Sequence, residues 1–210
     1  GKPHRRPQHG MSLPPHGSRP VRSRKLRQRS LAVMNREWIF RRAEMREIPR
    51  ILKIIGQAQA QMRAAGSQQW QNGYPAEQDI RRDIERGYGQ VLCRPESAGT
   101  RGIAAYGAVV FDGEPAYGAI EGAWLTDGRY VVLPRLAVAD EAKRQGVATE
   151  FLRRVERLAL ARGVEAFRVD TNFDNRIMLR LLEKEGFRFC GKIRYDSGER
   201  LAFEKSRPKG

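Results

Sequence analysis

The chain has 210 residues, with 40 Lys and Arg against 24 Asp and Glu, and a net charge of +16. That length gives room for one ordinary domain with a sizeable core, and no apolar run approaches the roughly 18 residues of a membrane-spanning helix. All three histidines, His4, His9 and His16, lie near the N-terminus, and the two cysteines, Cys93 and Cys190, have no metal-ligand spacing, which excludes His-based triads and His-containing zinc sites from the rest of the chain.

Residues 1–33 carry Lys2, Arg5, Arg6, Arg19, Arg22, Arg24, Lys25, Arg27 and Arg29 and no acid, among prolines and serines. Such a segment lacks apolar periodicity and is expected to be a disordered tail, with the domain at 34–210. Three readings stay open for it. It suits non-specific binding of nucleic acid through phosphate contacts, although no aromatic residue is there to stack on bases. Its Arg-rich, acid-poor composition also suits a targeting segment, although its five prolines oppose an amphipathic helix. Or it is a non-native leader with a start set too early, since Met11 and Met34 both suit an initiator.

From Glu37 the pattern turns regular. Trp38 to Arg42 alternates like a strand, and Ile48, Ile51, Leu52, Ile55, Ala58 and Met62 mark a helix that Gly66 stops. Pro75 precedes a second, charged helix through Asp79 and Ile80 to Glu85, ended by Gly87. Strands follow at about 90–93 and 103–111, with turn residues 96–99 between them. Residues 112–128 read as a long Gly-rich loop carrying Tyr117 and Trp124, and loops of that length are usually functional or disordered.

Tyr130 to Val138 is an apolar strand in which Pro134 marks an edge or a bulge, because proline lacks the N–H of a central ladder. The helix after it buries Ala148, Phe151, Leu152, Val155, Leu158 and Ala159 on one face. Then come a strand at Ala166–Asp170, a short helix from Asn175 closing on Gly186-Phe187, and a last strand near Leu201–Glu204 behind the Asp196-Ser197-Gly198 turn. The alternation predicts an α/β fold with a mixed sheet. Gly186 to Lys192 matches the first seven positions of a nucleotide-binding phosphate loop, but Ile193 has no hydroxyl and the segment runs from helix to strand, so an ATPase is excluded.

Lys143-Arg144-Gln145-Gly146-Val147-Ala148 joins the Pro134 strand to the amphipathic helix. A strand, a tight Gly-containing turn and a helix start present unpaired backbone N–H groups and a positive dipole end, a place for phosphate or pyrophosphate. Gly146 lets the backbone approach the anion, and the small Ala148 lets the helix come close.

This hexad is similar to the acyl-CoA pyrophosphate loop of the Gcn5-related N-acetyltransferases (GNAT), Arg/Gln-x-x-Gly-x-Gly/Ala, with Lys143 in the first place. Asn175 to Phe187 resembles the family's second signature, an Asn opening a short helix that closes on Gly-Phe, and the two blocks stand in the family's order. The resemblance runs from Trp38 to about Glu204, roughly four fifths of the chain. It implies a GNAT-like mixed, mostly antiparallel central sheet with splayed fourth and fifth strands and flanking helices, and acetyl-CoA as co-substrate with its pantetheine arm in the gap. It also implies that the backbone at Leu136, Ala137 and Val138 binds the cofactor. Lys143, Arg144, Gln145, Gly146, Val147 and Ala148 would hold its pyrophosphate, and Asn175 would contact its arm. Asp174 or Asn175 as a helix N-cap is the compatible alternative.

The same resemblance locates a departure. Where the family frequently has a Tyr that protonates the leaving thiolate, this chain has Leu182. Glu121, in the long loop, is the carboxylate expected to bind or deprotonate the amine, against the plainer reading of a solvated surface Glu. Trp70 and Tyr74, between the first two helices, with Tyr117 and Trp124 are the expected acceptor wall, against a hydrophobic plug over the core. The expected function is acetyl transfer from acetyl-CoA to a primary amine of a small molecule or a peptide N-terminus, without a metal and in the cytoplasm, where two thiols stay reduced. The alternatives are a CoA-binding regulatory module without turnover, and nucleic-acid binding through the tail. A homodimer is compatible with the sequence.

Overall fold

The computed structural model describes residues 38–95 and 99–207, all within the unit Asn35–Gly210. The expected tail at 1–33, with its nucleic-acid and targeting readings, lies outside the described residues, as do the turn residues 96–98.

β1 (Ile39–Arg42) leads through a 3-10 turn into α1 (Ile48–Ala64). Ile48, Ile51, Ile54, Ile55 and Ala58 are buried at three-and-four spacing, and Pro49 sits in the first turn, where its missing N–H costs nothing. Glu47 at the entrance is buried and is gripped by Arg41 at 2.6 and 2.8 Å and by the Glu44 N–H at 2.9 Å. The Arg41 hydrogen bonds hold its carboxyl below the usual range. α2 (Glu77–Glu85) starts where the Asp79 carboxylate accepts the Ala76 N–H at 2.8 Å.

The remaining elements are β2 (Gly89–Cys93), β3 (Ile103–Val110), β4 (Glu121–Gly122), β5 (Tyr130–Val138), α3 (Val147–Ala161), β6 (Ala166–Thr171), α4 (Arg176–Lys184), β7 (Arg188–Tyr195) and β8 (Gly198–Ser206). They form one sheet in the order β1-β2-β3-β5-β6-β8-β7-β4. Every neighbouring pair is antiparallel except β5 and β6. The segment from Gly186 to Lys192 turns out of α4 and enters β7.

The β5–β6 pairing is brief. Tyr130, Val131 and Val132 face Ala166, Phe167 and Arg168, and no register continues beyond them. The cause is on the other edge of β5, where the β3 register slips between Val110↔Val132 and Ala108↔Arg135, so β5 holds one extra residue at Leu133–Pro134. Pro134 sits in a bulge, as its missing N–H predicts, and the bulge bends β5 away from β6. The fourth and fifth long strands are therefore splayed, and the β6-facing edge of Leu133–Val138 has no strand partner.

The main core lies between the sheet and the helices, with Ile51, Ile54, Phe151 and Val155 fully buried. Each such side chain stabilises the fold by about 1.5–3 kcal/mol. Cys93 and Cys190 are buried thiols. No helix among the described residues is long and apolar enough to cross a membrane.

The 112–128 segment is more ordered than a plain loop. Pro115–Ala119 makes a 3-10 turn, and β4 then pairs with β7. That pairing brings Gly122 and Gly191 so close that a Cβ on Gly122 would lie 2.2 Å from the Cys190 carbonyl oxygen, and one on Gly191 would lie 2.2 Å from the Glu121 carbonyl oxygen. Behind it Tyr117, Val132, Ile193 and Ala202 form a second apolar cluster, with Trp124 and Tyr130 packed on it. The segment is a lid over sheet residues that no helix covers.

Candidate active site

A groove of about 920 Å³ opens where β5 leaves β6. Its walls are the last turns of α1, the unpaired end of β5, the loop before α3 and the start of α4. Leu136, Ala137 and Val138 line it on β5; Lys143, Arg144, Gly146, Val147 and Ala148 line its mouth; Asn175 lines its far wall. Gln145 does not. Its side chain turns outward, accepting from Arg94 and donating to the Glu141 carbonyl at 3.2 Å.

The mouth presents backbone donors. Gly146 is the N-cap of α3 at φ +70°, and no side-chain hydrogen bond caps the helix, so its first N–H groups stay available. Arg144 also has a left-handed backbone, φ +63°. That conformation is uncommon for a residue with a side chain and is found where function over-determines the backbone. Alternation of ordinary and left-handed residues turns successive N–H groups into a concave nest that complements phosphate oxygens. A Cβ at Gly146 would meet nothing within 4 Å, so open space lies in front of the loop. Lys143 stands at the rim, 3.4 Å from Asp140, and Arg176 also lines the groove. These features fit the pyrophosphate and 3′-phosphate of a CoA ester, and the unpaired β5 edge fits the amides of its arm.

Asn175 is an N-cap as well as a groove residue. Its Oδ1 accepts the Met178 N–H at 3.2 Å, and its Nδ2 donates to Gln69 Oε1 at 3.0 Å. Gln69 Oε1 also accepts from the Thr171 hydroxyl at 3.0 Å and the Asn172 N–H at 3.2 Å. Beside it Asp174 accepts the Ser67 hydroxyl at 2.7 Å and the Gln68 N–H at 3.0 Å. Burial acts to raise the Asp174 carboxyl, but these bonds outweigh it and hold the group below its ordinary range. Together they pin the segment after α1 to the ends of β6 and α4.

The groove narrows inward to a small cavity of about 20 Å³ between β5 and β6, with which it shares Met62, Leu136, Asn175 and Met178. Asp170, near the end of β6, lines that cavity. Its Oδ2 accepts the phenol hydroxyls of Tyr117 at 2.6 Å and Tyr195 at 2.9 Å. No described residue donates to Oδ1, and no described residue forms an ion pair with the group. Burial raises the Asp170 carboxyl above its usual range against the pull of the two phenols, and burial beside Asp170 pushes both phenols well up. A carboxylate with one oxygen anchored and the other unclaimed, at the inner end of a groove, is equipped to receive an ammonium or a proton.

The other expected site residues disperse. Trp70 lines the inner cavity, with a left-handed backbone of φ +62°. Tyr74 is partly exposed, and its hydroxyl accepts from Arg135 at 2.7 Å. Arg135 is in turn held by Asp83. Tyr117 and Trp124 are packed in the second apolar cluster, Trp124 donating to the Tyr117 carbonyl at 2.9 Å, so only the Tyr117 hydroxyl reaches toward the site. Glu121 lies on the outermost strand, exposed and paired with Arg194 at 2.9 Å, and lines neither the groove nor its inner cavity. Leu182 is fully buried in the main core, while Met178 and Leu181 present apolar surface to the groove. Asp170, Gln69 and Tyr195 were not singled out from the sequence. The alternation of β6 carried the only hint, a carboxylate ending the strand that borders the gap.

Comparison with known proteins agrees with this geometry. The model of the acetyltransferase (GNAT) family matches residues 61–187. A GNAT-family acetyltransferase from Streptococcus agalactiae is 36% identical, with 82% of this chain and 96% of that one covered at a TM-score of 0.72. One from Listeria monocytogenes is 17% identical, with 81% and 95% covered at a TM-score of 0.64. The ribosomal-protein-S18-alanine N-acetyltransferase of Escherichia coli is 16% identical, with 80% and 93% covered at a TM-score of 0.55. No curated protein matches the chain. A family match over more than half its length, together with a 36%-identical structure of the same fold, establishes that the chain belongs to the GNAT acetyltransferase family.

Proposed function

We propose that the chain transfers an acetyl group from acetyl-CoA to a primary amine, on a small molecule or a peptide N-terminus, and that Asp170 receives the amine. The observation that carries the reading is the groove that runs from an uncapped helix start at Gly146 to an inner cavity lined by Asp170, a carboxylate whose Oδ1 no described residue claims.

When bound, acetyl-CoA supplies the acetyl thioester. The chain's own residues then have separate tasks. Backbone N–H groups from Gln145 to Ala148 hold the diphosphate, and the unpaired β5 edge at Leu136 to Val138 orients the arm and offers an N–H to the thioester carbonyl. Asp170 Oδ1 attracts the acceptor's ammonium and takes its proton, directly or through one water. Tyr117 and Tyr195 hold the carboxylate in place and favour its charged form. Apolar Met178 and Leu181 exclude water along the arm. With Leu182 buried, the departing thiolate is protonated by solvent or by the acceptor's own proton.

The test is thiol release from acetyl-CoA across a panel of primary amines and short peptides, with acetyl-CoA binding measured in parallel. Release with at least one amine supports the proposal. Binding without release on any amine favours a CoA-binding module, and absence of binding overturns the reading.

A further inference from the structure

We infer that a second pocket, at the opposite end of α3, binds a phosphoryl group. The pocket holds about 160 Å³, and its lining shares no residue with the acetyl-CoA groove. Arg42 at the end of β1, Arg86 in the turn after α2 and Arg162 just past α3 converge on it. None of these three has an ion pair or a side-chain hydrogen bond among the described residues. Arg162 is instead held over the Phe111 ring at 4.3 Å.

Helix ends account for part of this placement, since Arg86 and Arg162 follow helix C-termini, where a cation is favourable. They do not account for all of it. The carbonyls there already accept backbone N–H groups, Gly87 to Ile84 and Gly163 to Leu160 at 3.0 Å each, Tyr88 to Asp83 at 2.8 Å and Val164 to Ala159 at 2.9 Å. Nor does a helix end explain Arg42, which comes from a strand.

The independent observation is Gln90. It lies directly across the β1–β2 ladder from Arg42, lines the pocket, and is only 6% exposed. Its side-chain amide has no hydrogen-bond partner among the described residues. A ligand oxygen in the pocket would give this amide a partner. The single acid there, Asp112, accepts the Tyr88 hydroxyl. Three guanidiniums and one carboxylate leave a formal excess of two positive charges, which a phosphoryl dianion matches and a carboxylate only half matches. Planar guanidiniums also suit its oxygens in a way that lysines do not. The phosphoryl group belongs to free phosphate or to a small phosphate monoester.

The experiment titrates the full chain with inorganic phosphate and, separately, with glycerol 3-phosphate, following the Nε–Hε resonances of Arg42, Arg86 and Arg162 with CoA present to occupy the groove. Because the readout is local, it stands whether or not CoA binds. Saturable shifts in all three arginines are expected, weakened at least tenfold by Arg42→Gln and several-fold by Gln90→Leu, which keeps every charge. Tighter binding of glycerol 3-phosphate identifies a monoester as the ligand, and equal or tighter binding of inorganic phosphate identifies the free ion. Non-saturating shifts, or equal binding by wild type and Arg42→Gln, would overturn the site. Arg42 is exposed, so that variant tests the inference even if Gln90→Leu fails to fold.

Discussion

Asp170 and Glu204 are carboxylates on neighbouring strands, two rungs apart in the β6–β8 ladder, and they are treated in opposite ways. Glu204 is fully buried and every lone pair is engaged. Its Oε1 accepts from Arg168 at 2.9 Å and the Thr126 hydroxyl at 2.7 Å, and its Oε2 accepts from the Leu125 and Thr126 N–H groups at 2.8 and 3.2 Å. Arg168 itself is stacked between Trp124 and Tyr130. Asp170 has two phenols on one oxygen, and among the described residues none donates to the other oxygen or forms an ion pair with the group, Arg200 acting on it only through space. A buried carboxylate satisfied on all sides is architecture, whereas one left half satisfied beside a groove has capacity to spare. The comparison separates stability from chemistry by partner count rather than by burial.

The largest effect expected on stability follows from breaking the satisfied member. Glu204→Gln leaves Arg168 buried without its counter-ion and should cost about 3–5 kcal/mol, read as a lower urea midpoint at unchanged slope. Little or no loss would mean that the pair is dispensable. Next in size is Gly146→Asp. The Cβ has open space and Asp is among the residues that tolerate a left-handed backbone, so the fold should persist at a cost of about 1–2 kcal/mol, but a carboxylate would stand at the uncapped helix start. Acetyl-CoA at about 100 times its dissociation constant should add roughly 2.7 kcal/mol to wild type and nothing to the variant.

Asp170→Asn should leave stability unchanged or improved, the reverse of Glu204→Gln. Burial raises the Asp170 pKa, so the native chain keeps a proton that the unfolded chain releases, and stability falls as pH rises through that window. The asparagine removes that slope, and melting curves across mildly acidic pH would detect it. Tyr195→Phe removes one hydrogen bond that favours the carboxylate, so the ascending limb of the pH–rate profile should move to higher pH. The smallest effect belongs to Glu121→Gln. An exposed pair contributes about 0–1 kcal/mol, and turnover should stay within about twofold, because Asp170, rather than Glu121, borders the groove.

The loop at the mouth of the groove was legible as structure because its signal is local. Strand, glycine turn and helix start are contiguous in Tyr130 to Ala159, and Pro134 forecast the bulge from a missing N–H alone. Asn175 was legible for the same reason. Asp170 was not, since nothing in Ala166 to Asp170 says that the neighbouring strand will leave after Val132. Gln69 gathers donors from residues more than 100 positions away, a relation no spacing encodes. Tyr117 and Trp124 carried the right chemistry for a pocket wall, but the Gly122–Gly191 approach folds their segment onto bare sheet and turns them inward.

The most direct test of the distinction is the single-turnover rate of thiol release by the Asp170→Asn enzyme, preloaded with acetyl-CoA and mixed with an accepted amine. A rate at least 10²-fold below wild type is expected, about 2.7 kcal/mol of transition-state stabilisation, with acetyl-CoA affinity and melting temperature not lowered. A rate within about threefold of wild type would contradict it; Asp170 would then be one more buried carboxylate, and the amine would be received elsewhere.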